Sequence, residues 1–246
     1  MNNKKLSLLW IILFSTFTSA LQAQHAANGH NLLSAKQKSL IAIAAVAAKG
    51  DLPKLAAALH SALDAGLSIN EGKEALVHLY AYAGFPRSIR GLQTFMHVLD
   101  ERKEKGIRDS VGATASPIDQ KEDKYHRGKR VLEELTGAAE NGRSVGYGAF
   151  APAIDVFLKE HLFADIFERD VLSYAERELV TVSVLSSLGG LEPMLASHLK
   201  ICFNVGLNAE QLQQFVEEIR NNIGEQEADA ARQVLDVILA EQMPSQ

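Results

Sequence analysis

Residues 191–208 read LEPMLASHLKICFNVGLN and set His198 four residues before Cys202, the only cysteine of the chain. On a helix that spacing puts an imidazole and a thiol on one face. Such a pair can be nucleophilic, but the base then needs a third group to orient it. A metal site needs further ligands, and none is in view at a suitable spacing. Ordinary packing needs nothing more, and Cys202, between Ile201 and Phe203, fits an apolar helix face. Cys202 therefore reads as core. His198 remains a candidate in its own right, because imidazole takes and returns protons near neutral pH. The plain alternative is a histidine packed between helices and bonded to a backbone carbonyl.

Arg177 and Glu178 open the apolar segment LVTVSVLSSLGG. Glu178 could orient His198 or act as an acid in a desolvated site; a helix start would also favour it through the macrodipole alone. Arg177 could grip a substrate carboxylate through two parallel hydrogen bonds or form a surface ion pair. Glu192, just past the glycine turn, could be a second acid or an exposed loop residue. His78, His97 and His126 fit exposed faces or the lead-in helix.

The elements that must hold these groups are helical. The chain is 47% hydrophobic over 246 residues, ample for a packed core. Its net charge of −5 shows no basic concentration, which argues against nucleic acid as a partner. A lone cysteine excludes an intrachain disulfide. Lys4 and Lys5, the apolar run LSLLWIILFSTF and the small residues around Ala20 and Ala23 read as a secretory signal over residues 1–23. The expectation is an exported protein, most simply periplasmic, with no stable membrane anchor after cleavage.

Apolar spacing and caps predict a helix after Ser34 that stops at Gly50 and Asp51, and a second that stops at Gly66. A third is capped by Ser68 with Glu71 and stops at Gly84. A fourth runs from Pro86 to about Lys105. Residues 107–124 read as a linker. Residues 125–246 hold lead-in helices, a glycine-rich loop and a second copy of the unit at 31–106. Gly50, Pro53, Gly66 and Gly84 recur at an offset of 140 as Gly190, Pro193, Gly206 and Gly224, which marks an internal duplication. At that offset His60 falls opposite Lys200, Ala58 opposite His198 and Lys38 opposite Glu178. The second copy alone carries the acid–base groups.

The order Arg177–Glu178, Gly190, His198, Gly206–Leu207–Asn208 resembles the carboxymuconolactone decarboxylase family. So do Tyr82–Ala83–Gly84 with Pro86 in the first copy, and Tyr125, Gly128, Val131 and Gly137 in the lead-in. The resemblance implies an all-α fold, a duplicated helical unit of the carboxymuconolactone decarboxylase and alkylhydroperoxidase D-like type, assembling as a trimer or hexamer. It implies acid–base chemistry on a small carboxylate or lactone, decarboxylation or a related proton transfer, with no metal or organic cofactor. His198 and Glu178 would be catalytic; Arg177, His161 and Asp165 would contact the substrate. The peroxidase branch carries a Cys-x-x-Cys pair before its histidine. Leu191 and Met194 stand at those positions, so a dithiol mechanism is disfavoured. A non-catalytic binding or assembly protein on the same scaffold is the alternative.

Overall fold

The computed structural model describes residues 32–140 and 146–242, and every regular element among them is helical. The expected signal segment lies outside the described residues. Helix α1 (Ala35–Lys49) starts on a reciprocal cap: Ser34 Oγ accepts from the Gln37 N–H while the Gln37 side chain accepts from the Ser34 N–H. Helix α2 (Leu52–Asp64) follows a two-residue turn. Helix α3 (Ile69–Glu104) repeats the reciprocal cap with Ser68 and Glu71. Gly84 interrupts α3 at φ 79°, ψ 161°, a conformation only glycine holds without strain. Pro86 follows where the helix restarts, so α3 is two helices meeting at a bend, as the stop at Gly84 and start at Pro86 predict.

Residues 107–123 carry no helix, yet they are tied down. The Ser110 and Val111 carbonyls accept from the Ile69 and Asn70 N–H groups at 2.9 and 3.0 Å. Arg102 donates to both oxygens of Asp109 at 2.9 and 2.8 Å, and the Ser116 N–H donates to Asp170 at 2.8 Å. The segment is a strap over the start of α3.

The lead-in comprises α4 (Lys124–Thr136), two short turns α5 (Tyr147–Phe150) and α6 (Pro152–Phe157), and a π-helical segment Leu158–Phe167. Helix α4 lies so close to that segment that a Cβ on Gly128 would stand 1.8 Å from the Lys159 carbonyl oxygen. Backbone cannot step aside as a side-chain tip can. Gly128→Ala is expected to cost at least the ~1–3 kcal/mol typical of overpacking, seen as a lower urea midpoint at unchanged m. A change below about 0.5 kcal/mol would show that the two segments do not meet this closely.

The second copy is α7 (Tyr174–Leu188), α8 (Glu192–Asn204), α9 (Ala209–Asn222) and α10 (Glu225–Gln242). Helices α8 and α9 begin 140 residues after α2 and α3, and α10 follows Gly224 as the second half of α3 follows Gly84. Side-chain pairs repeat with the backbone. His60 Nε2 meets Glu101 at 3.3 Å, and Lys200 meets Glu241 at 2.8 Å. His60 thus answers to Lys200 and Ala58 to His198.

One equivalence needs correction. Helix α7 begins 139 residues after α1, and its cap Ser173 lies 139 after Ser34. The turn between α7 and α8 (residues 189–191) holds one residue more than the turn between α1 and α2 (residues 50–51). Arg177, not Glu178, therefore answers to Lys38; Glu178 answers to Ser39.

The copies interlock. One core gathers Leu40, Leu55, Leu76 and Phe95 with Val180 and Val184 from α7. The other gathers Leu195, Leu199, Phe215 and Leu235 with Ile41 and Ala45 from α1. This explains why α1 and α7 are apolar nearly all round: each is a central helix serving both cores.

Candidate functional site

The site is built on three helices, two from the second copy and one from the first. Helix α7 presents Arg177, Glu178 and Thr181; α8 presents His198; α3 presents Glu74, His78 and Tyr82 at i, i+4 and i+8 on one face. His198 Nδ1 lies 2.8 Å from Glu178 Oε2. A carboxylate only accepts, so Nδ1 carries the hydrogen and Nε2 is left with its lone pair. Nε2 has no hydrogen-bond partner among the described residues. Glu178 is sealed, with no exposed surface, whereas the His198 side chain keeps 15% of its own. A buried carboxylate thus aims a histidine that solutes can reach.

Tyr82 packs edge-on against His198, ring centroids 5.7 Å apart and planes at 84°. Burial first, and then the Glu178 charge, hold its phenol well above the ordinary range, so it stays protonated. Its hydroxyl is buried without a hydrogen bond, and so is the second carboxylate oxygen, Glu178 Oε1. Thr181 stands near enough to ease the phenol's shift a little, but not in bonding geometry. An orphaned donor and an orphaned acceptor beside one imidazole are costly features for a mere core.

Behind this pair lies an ionic core. Arg177 has no exposed surface. Its Nη2 donates to Glu74 Oε1 at 2.7 Å and to the Arg169 carbonyl at 2.5 Å, and Arg169 grips the same carboxylate at 2.8 and 3.0 Å. Arg177 Nη1 stands 3.3 Å from His78 Nδ1. A guanidinium only donates, so His78 accepts at Nδ1 and carries its hydrogen on Nε2, which donates to Thr181 Oγ1 at 2.9 Å; Thr181 donates on to the Arg177 carbonyl at 3.0 Å. An incoming carboxylate would reach Arg177 only by displacing Glu74.

His78 is fully buried, against the exposed face expected from sequence. Burial first, then the Arg177 charge and that of His198, push its pKa well below 6.5. The unfolded chain therefore binds the proton that the native chain refuses. Between the depressed native value and about pH 6.5, stability should fall as pH falls, by up to ~1.4 kcal/mol per unit. Urea titrations from pH 7.5 to 5 check this: His78→Asn should flatten the slope, and an unchanged slope would refute it.

His161 and Asp165 sit elsewhere, on the π-helical segment. They pair with each other at 3.2 Å, and Asp165 also binds Lys124 at 2.9 Å. His161 touches the Tyr80 ring, centroids 5.5 Å apart. Neither shares a hydrogen bond or ion pair with His198 or Glu178. Glu192 closes its own turn by accepting from the Gly190 N–H at 3.2 Å. Cys202 is fully buried, as expected of a core residue, and burial followed by the Glu178 charge pushes its thiol well above its usual value. Its counterpart Ala62 is equally buried. Among the described residues no three His, Cys, Asp or Glu side chains are grouped to hold a metal ion.

The model of the carboxymuconolactone decarboxylase family matches residues 13–95 and again 152–236. The chain belongs to the carboxymuconolactone decarboxylase family. The family's unit occurs in it twice; the first match includes Tyr82 and the second includes Glu178 and His198. The chain is also similar to the 4-carboxymuconolactone decarboxylase of Acinetobacter baylyi, 30% identical over 96 residues, which cover 39% of this chain and 71% of that protein. Within this family member, Tyr82 was legible from sequence only as part of a corner motif. The spacing of Glu74, His78 and Tyr82 is the signal that could have placed all three on the site's face.

Proposed function

We propose that this family member is an acid–base catalyst of decarboxylation, or of a related proton transfer, on a small carboxylate or lactone. The observation that carries the reading is the 2.8 Å contact between the sealed Glu178 and the accessible His198. In such a reaction the carbon–carboxyl bond breaks, CO₂ leaves, and the bonding pair passes into a neighbouring carbonyl to give an enolate. Nε2 of the neutral His198 takes a proton from solvent, Glu178 balances the imidazolium so formed, and the enolate carbon then takes that proton and restores the resting histidine. The Tyr82 ring, edge-on to the imidazole, would wall the site, with its protonated hydroxyl sealed behind it. The protein needs no thiol for this, and Cys202 has none to offer from within the core.

Arg177 supports the site in this proposal by fixing α3 against α7 and makes no substrate contact of its own. His161 and Asp165 would line an approach at most. Export, assembly as a homo-oligomer and a small-molecule substrate belong to the same proposal. The exposed Phe85, Ile89 and Met96 on the second half of α3 support association. Export argues for a substrate other than the lactone named for the Acinetobacter relative. The test is CO₂ release from a panel of carboxylated lactones and β-keto acids, that lactone included, with deuterium from D₂O recovered at the product carbon. Release without deuterium at that carbon would exclude proton delivery by the enzyme; no turnover of any member would favour a binding protein.

A further inference from the structure

The duplication gives the histidine site a counterpart elsewhere in the fold. Rotating the copies into one another carries α7, α8 and α3 of the histidine site onto α1, α2 and α9. Those three helices line an open cleft of about 420 Å³. Its walls are the counterparts of the histidine site with the side chains cut back. Ser39 stands for Glu178, Ala58 for His198, Asn222 for Tyr82 and Ser61 for Ile201. The floor is smaller too, with Ala42 for Thr181 and Val46 for Leu185. Here no neighbour has moved in.

The chemistry left in the cleft favours an anion. Its lining holds two ammonium groups and one carboxylate, Lys38, Lys54 and Glu218. Lys38 meets Glu218 at 3.1 Å and so is balanced. Lys54 is 63% exposed and only 3.9 Å from its nearest acid, Asp51, whose other oxygen caps the Lys54 N–H at the start of α2. Lys54 therefore has donors to spare, beside the amide of Asn221 and the hydroxyl of Ser61. Below them the floor is methyl groups. An apolar floor with a few polar groups at the rim is the usual make-up of a small-molecule site. With neither imidazole nor buried carboxylate, it lacks the paired groups on which the proton-transfer reading at His198 rests.

We infer that this cleft is a second, non-catalytic site for a small carboxylate with a short apolar body, its carboxylate on Lys54 and its hydrocarbon on Ala42, Ala57 and Ala58. The inference does not depend on the chemistry at His198, since neither His198 nor Glu178 lines this cleft.

The probe is sodium butyrate, titrated into the full chain labelled with ¹³C at alanine methyls. The Ala42, Ala57 and Ala58 signals should shift saturably, with a dissociation constant on the order of 1 mM. Sodium chloride and butanol should not reproduce the shifts, Lys54→Gln should weaken binding about tenfold, and His198→Gln should leave it unchanged. Absence of saturable shifts would overturn the site. Equal shifts with butanol, or an undiminished affinity in Lys54→Gln, would overturn its assignment to carboxylates. Because Lys54 is exposed, that variant tests the site without endangering the fold.

Discussion

His198→Gln is expected to lower the turnover number by 10²–10⁴-fold, the usual worth of a positioned general acid or base. The fold should survive, because His198 packs at the edge of the core and keeps part of its surface. Glutamine can still accept or donate at one atom but cannot carry a proton across. KM should change little, since binding falls to other groups; a fall confined to the turnover number marks an interaction made in the transition state. Glu178→Gln should act in the same direction and more weakly. It keeps the shape of the pair and removes the charge that balances the imidazolium. The check is steady-state CO₂ release under conditions where both variants keep the wild-type helical signal. Turnover of His198→Gln within threefold of wild type would refute the assignment.

The second large effect is on stability. Glu74→Gln should cost about 3–5 kcal/mol, the range found when one partner of a buried ion pair is removed. Arg177 has no exposed surface, so its charge would be stranded among apolar side chains with a carbonyl and a neutral histidine for company. In a domain of this size that cost lowers Tm by roughly 6–20 °C. Replacing both partners, Glu74→Gln with Arg177→Met, should recover much of the loss, because no buried unpaired charge then remains and the half-exposed Arg169 keeps its contact with water. Equal Tm values for the single and double variants would contradict this account of the core. The pH dependence carries a matching sign. Burial raises the Glu74 carboxyl, but the two guanidiniums outweigh it and hold the group below its ordinary value. Its stabilisation is therefore present above about pH 4.5 and is lost as pH falls through the native value.

The helix ends were the most legible part of the fold. Ser34, Ser68 with Glu71, and Gly84 act through bonds or backbone angles within a few residues of themselves. No long-range information is needed to place them. The register of α2 with α8 was legible for the same reason, since Gly66 and Gly206 end equivalent turns. The one-residue slip between α1 and α7 was not. Both helices are apolar nearly all round, so no stripe fixes their phase, and the extra residue hides in a turn of two glycines. That slip is what had set Glu178 opposite Lys38.

The site was legible in part. The pairing of His198 with Glu178 joins two adjacent helices of one copy, and its residues stood out by type. Arg177 looked like a substrate clamp because an arginine at a helix start is usually exposed. Its burial follows from Glu74 and Arg169, and Glu74 comes from the other copy. His78 and Tyr82 were hidden by the same interlocking. Their partners, Thr181 and His198, lie on helices a hundred residues away, and nothing local announces which face of α3 will meet them.

The central claim is that Glu178 holds His198 with its hydrogen on Nδ1, leaving Nε2 free to work. Long-range ¹H–¹⁵N correlation of the neutral imidazole reads this directly, without any substrate. The account predicts the Nδ1–H form for His198 in the native chain, and a mixture of both forms in Glu178→Gln. A His198 signal in the Nε2–H form in the native chain would contradict it.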